Sequence, residues 1–85
     1  MNIKSKYKHE FKFSEPATYQ IKVSGELQKE WSDRLKGMQI IIDRQKDQKP
    51  VSILTGRMSD QSDLSGVLNT LYELHLAVLS VKMLK

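Results

Sequence analysis

Nucleophilic chemistry in this chain would have to be built from His9 or His75, its two histidines, because a serine or threonine hydroxyl needs an oriented base before it can attack. Neither histidine stands in a recognisable motif: His9 lies in a lysine-rich stretch and His75 at the end of an apolar periodic run, so both read as exposed or helix-terminal residues. Two histidines and scattered carboxylates lack the ligand spacing of a metal site. The sequence contains no cysteine, which removes thiolate ligands and disulfides. No enzymatic activity, metal or cofactor is therefore expected.

Three further places invite binding chemistry. Thr55-Gly56-Arg57-Met58-Ser59-Asp60 leads a strand into a helix start, where unpaired backbone N–H groups and the helix dipole attract anions. Asp60 and Asp63 bring negative charge to the same turn and no glycine-rich phosphate fingerprint precedes them, so they read as caps, with Arg57 left as a candidate anion contact. Trp31 shares a helical face with Leu27 and Leu35, which favours core packing over stacking on a ligand. Tyr7, Phe11 and Phe13 interleave with Lys4, Lys6, Lys8 and Lys12 in a strip suited to weak contact with nucleic acid or an anionic surface, although four lysines are few for tight phosphate binding.

The elements that must position these residues are set by an 85-residue chain with 39% hydrophobic and 28% charged residues, enough for one small core in one domain. Its formal charge of +4 is split evenly between residues 1–16 and the rest, a balance that favours solubility and mild attraction to anions. No apolar run reaches the length of a membrane span, and no apolar signal-peptide region follows Met1, so a cytoplasmic location is expected.

Residues 3–13 alternate, with Ile3, Tyr7, Phe11 and Phe13 on one side and lysines on the other. This reads either as an extra edge strand guarded by charge or as a basic tail set off by Ser14-Glu15-Pro16. Tyr19, Ile21 and Val23 alternate in a strand ending at Gly25. Leu27, Trp31, Leu35 and Met38 recur at helical steps, with Arg34 and Lys36 near the end before Gly37, predicting a short helix of about three turns closed by a glycine C-cap. Ile40 and Ile42 then lie on one side of a strand and Ile41 on the other, a polar loop spans residues 43–50, and a strand follows from Val51 to Arg57 whose facing Ile53 and Leu54 leave ambiguous.

A helix runs from about Gln61 to Leu74, capped by Asp60 or Ser59, with Leu64, Val67, Leu68, Leu71 and Leu74 as its apolar stripe. Gly66 inside it costs on the order of 1 kcal/mol relative to alanine, which suggests a close helix-to-sheet contact there. Ala77 to Met83 is the last strand, and Leu79 and Val81 are expected to pack with Ile21, Val23 and Ile40 under the helix.

The order strand, helix, strand, strand, helix, strand predicts an α+β ferredoxin-like sandwich (β-α-β-β-α-β) over residues 17–85, preceded by the 1–16 segment. The alternative is a three-strand meander with the Trp31 segment as a loop excursion, followed by the helix and a fourth strand. In either arrangement one sheet face is left open, and Ile41, Leu54 and Val78 are its candidate interface residues. They form a surface for a homo-oligomer or protein partner, or else are scattered surface hydrophobes.

Val23, Gly25, Leu27, Trp31-Ser32, Gly37, Leu54-Thr55-Gly56, Asp60-Gln61, Leu64, Gly66, Leu68, Leu74 and Leu79-Ser80-Val81 together make the chain resemble a family of small uncharacterised bacterial proteins. The resemblance covers Tyr19 to Val81 and implies no assigned activity. It also implies two departures: an aromatic pair is replaced here by Arg34-Leu35, and a glycine-containing helix stop by Leu74-His75-Leu76. His75 is therefore expected in the left-handed helix-ending position.

Overall fold

The computed structural model describes residues 16–84. The N-terminal strip from Lys4 to Phe13, including Tyr7 and Phe11, lies outside the described residues. Four strands, β1 (Ala17–Ser24), β2 (Gln39–Asp43), β3 (Val51–Met58) and β4 (Val78–Met83), form one sheet in the order β2-β3-β1-β4. All neighbours are antiparallel. One α-helix, α1 (Gln61–Glu73), and a 3-10 segment (Lys29–Leu35) complete the α+β architecture.

Period two explains β1: Ala17, Tyr19, Ile21 and Val23 are buried while the residues between them are not. Pairing carries this face across the sheet, so that Ile40, Leu54, Ile21 and Val81 stand in one row. Leu64, Val67, Leu68 and Leu71 of α1 are buried above that face, and Leu74 is half-buried at the end of the stripe. Burying a leucine or isoleucine side chain contributes roughly 1.5–3 kcal/mol, so this helix-on-sheet contact is a substantial part of the core.

The predicted three-turn helix from about Glu26 to Gly37 is instead the 3-10 segment. Its starting residue, Gln28, makes no side-chain cap bond, and Lys36 (φ 59°) and Gly37 (φ 71°) turn the chain left-handed after only seven residues. A run that short does not offset the cost of nucleating an α-helix. The burial read from the spacing nevertheless holds: Leu27, Leu35 and Met38 are buried and Trp31 packs partly against them.

Gly66 is not a close contact. It is exposed, and a Cβ placed there meets nothing within 4 Å. The tight glycine is Gly56, opposite Tyr19 on the covered face, where a Cβ would stand 2.8 Å from Met38 Cγ and 3.2 Å from Met38 Cα. His75 does take the left-handed position (φ 60°), with its N–H donating to the Tyr72 carbonyl at 2.9 Å and the Leu76 N–H to the Leu71 carbonyl at 3.2 Å. These two bonds satisfy carbonyls that the helix end would otherwise leave open.

Candidate interaction surface

The side chains capable of chemistry are engaged first in building the fold. Ser52 is fully buried: its hydroxyl donates to the Gly25 carbonyl at 2.7 Å and accepts the Leu27 N–H at 2.8 Å, tying β3 to the chain leaving β1. The sequence reading missed this residue, although period two from Leu54 and Met58 places Ser52 on their buried face. Asp60 caps α1, accepting the Ser62 N–H at 3.0 Å, the Asp63 N–H at 3.1 Å and the Ser62 hydroxyl at 2.7 Å. The Ser62 hydroxyl and the Asp63 N–H hold the Asp60 carboxyl below the usual carboxylate range. Asp63 in turn accepts the Ser59 N–H at 2.9 Å and lies 3.7 Å from Lys36 Nζ. Two carboxylates thus fill the helix N-terminus that an anion would need.

Trp31 is half-buried against the core, and the Arg34 guanidinium sits 5.4 Å from its ring centroid. Tyr19 is fully buried in β1, where desolvation pushes its phenol above the ordinary value. Among the described residues no group of three histidine, cysteine or carboxylate side chains is placed to hold a metal ion. No helix among them is long and apolar enough to cross a membrane.

What remains is the sheet face opposite α1. Residues paired across an antiparallel ladder share a face, as do residues two apart on one strand. The register therefore places Ile41, Ile53, Lys22 and Ser80 in one row, Gln39, Thr55, Gln20 and Lys82 in the next, and Arg57 beside Thr18 beyond them. Ile41 faces away from the helix as expected, 51% exposed. Arg57 is also exposed on this face.

Two of the expected interface residues are elsewhere. Leu54 is fully buried on the covered face, paired with Ile21 and Ile40, and the open-face member of that strand is Ile53. Val78 is half-buried against the core, while Leu79, expected under the helix, is 55% exposed. The cause is a β-bulge between Lys22 and Val23: Val23 pairs with Val78 and Lys22 with Ser80, so Leu79 is an additional residue that shifts the alternation.

Comparison with curated proteins and with solved structures returns no match. A family model described as a domain of unknown function, DUF8691, matches residues 18–82, the span that holds β2, β3, both helical segments and all but the first residue of β1 and the last of β4. The chain belongs to this family.

Proposed function

We propose that this protein is a small non-enzymatic binding or assembly module that acts through protein contacts, as a homo-oligomer or with a protein partner, using the open face of a ferredoxin-like sheet. The strand order and the antiparallel pairing support the ferredoxin-like reading, with the 3-10 segment standing where the first helix of that arrangement would be. The non-enzymatic reading is supported by the work already assigned to the side chains of Ser52 and Asp60, which hold a loop and a helix start.

The observation that carries the proposal is Ile41, half exposed beside Ile53 on a face that the helical segments do not cover. A contiguous apolar patch on a small domain marks an interaction site more often than a scattered aliphatic does. Sedimentation equilibrium across the micromolar range, with wild type and Ile41→Lys as paired samples and paired baits in extract, tests it. The expected result is that Ile41→Lys lowers the mass of the assembly or loses a bound protein while keeping the wild-type melting temperature. A strict monomer whose two forms recover the same proteins would reject the surface.

A further inference from the structure

The four strands carry only four ionisable side chains of the Asp, Glu, Lys and Arg types: Lys22, Asp43, Arg57 and Lys82. All four lie on the open face by register. Three are cations and none of these takes part in an ion pair among the described residues, where the pairs are Lys36 with Asp63 and Arg44 with Glu26. Apart from Asp43, the acids of the described chain sit on the loops, the 3-10 segment and the start and end of α1.

Two of the three cations are close enough to act together. Lys82 is opposite Gln20, one strand across and two residues along from Lys22, which puts their Cα atoms roughly 8 Å apart at a strand spacing of about 4.8 Å and a rise of about 3.4 Å per residue. Arg57, opposite Thr18, lies roughly 12–14 Å from both on the same lattice. The Lys22–Lys82 separation is comparable to the Debye length of about 8 Å at physiological salt, so their fields overlap, whereas Arg57 lies beyond it and adds a separate positive contact. Ile41 and Ile53 share the row of Lys22 and add an apolar flank.

We infer that the occupant of this face is an acidic protein segment bearing aliphatic side chains, rather than a second copy of this chain. The inference rests on the protein-contact reading above. At a twofold contact each copy would offer Asp43 alone to three cations, leaving like charges opposed and desolvated, which selects against self-pairing. Carboxylates over Lys22, Lys82 and Arg57, with aliphatics over Ile41 and Ile53, complement both halves of the surface. Single-stranded nucleic acid fits less well, because among the described residues the face has no aromatic side chain on which a base could stack and only three cations, few for tight phosphate binding.

The test is an amide-resolved NMR titration of the full chain with a short peptide of repeating Glu-Glu-Leu, against its Gln-Gln-Leu counterpart, an oligothymidylate, and a dilution series without ligand. The acidic peptide is expected to shift Lys22, Ile41, Ile53 and Lys82, and less so as salt rises. A Lys22→Gln/Lys82→Gln variant, which leaves the core untouched, is expected to raise the apparent Kd roughly 2- to 25-fold, the effect of losing two exposed ion pairs. Equal shifts with the neutral peptide, shifts confined to the helical side, no shifts, or stronger shifts at these residues with oligothymidylate would overturn the inference. Movement of Ile41 and Ile53 on dilution alone would also overturn it in favour of a second copy, while leaving the protein-contact reading in place; that reading falls only if Ile41→Lys changes neither mass nor recovered proteins.

Discussion

Gly66→Ala is expected to stabilise this protein, and the same substitution at Gly56 to destabilise it. Gly66 is the sixth residue of a 13-residue helix, so it carries the full interior penalty of glycine, about 0.8–1.0 kcal/mol relative to alanine. The added methyl group meets no atom within 4 Å, so no steric term opposes that gain. For a domain of 60–100 residues, 1 kcal/mol moves the thermal midpoint by about 4–8 °C; the expected rise is of that size. At Gly56 the methyl group would lie 2.8 Å from Met38 Cγ and 3.2 Å from Met38 Cα. Met38 cannot easily retreat, because its carbonyl accepts the Ser32 hydroxyl at 2.7 Å and its N–H donates to Leu35 at 3.2 Å. Overpacking of this kind costs about 1–3 kcal/mol. Thermal melts by circular dichroism, checked by urea unfolding with an unchanged slope, measure both. A fall in the midpoint of Gly66→Ala would mean that something packs on that side of α1, and the helix orientation described here would be wrong.

Ser52→Ala strands a part-buried carbonyl at Gly25 and a buried N–H at Leu27 and is expected to cost about 1–3 kcal/mol; an unchanged urea midpoint would show that water replaces the hydroxyl. His75→Gly removes a side chain from the left-handed region and is expected to add up to about 1 kcal/mol, the steric relief being partly offset by the greater freedom of glycine in the unfolded chain, whereas His75→Val should lower the midpoint. Because the folded state holds Asp60 below its ordinary 3.8, the contribution of its cap is complete above that pH and is lost as the pH falls through the lower, folded value; Asp60→Asn should flatten the melting temperature against pH in that window while keeping the cap. Leu68→Ala, at a buried position, is expected to cost about 2–5 kcal/mol, and Asn69→Ala, on the exposed side, to stay within about 0.5 kcal/mol of wild type; equal melts would refute the face assigned to α1.

Local rules carried the reading of the fold wherever one residue type has one physical job. The Asp60 cap and the Leu64, Val67, Leu68, Leu71 stripe announce a helix because a side-chain acceptor and a 3.6-residue period have few other uses. The left-handed His75 was legible from the family resemblance, in which a glycine-containing helix stop stands where this chain has Leu74-His75-Leu76, and histidine tolerates that region. The 3-10 segment was not, because Leu27, Trp31, Leu35 and Met38 need only reach the core, and several backbone paths bring them there. Gly66 and Gly56 exchanged roles because a glycine's neighbours are tertiary: nothing near Gly56 in sequence announces that Met38 will cross it.

The open face was harder to read than the core, since a single-residue slip exchanges the two sides of a strand. In β3 the buried side is Ser52, Leu54, Gly56 and Met58 and the open side is Val51, Ile53, Thr55 and Arg57, so hydrophobicity alone separates them poorly. Pairing decides the matter: Leu54 is bound in register to Ile21 and Ile40, whose facing their own strands make plain. In β4 the bulge at Leu79 defeats alternation altogether. Charge survives both difficulties, because an unpaired lysine or arginine in a strand has to face water. Lys22, Arg57 and Lys82 therefore identify the open side of β1, β3 and β4 independently of the aliphatics, and that agreement is what the proposal of an acidic partner rests on.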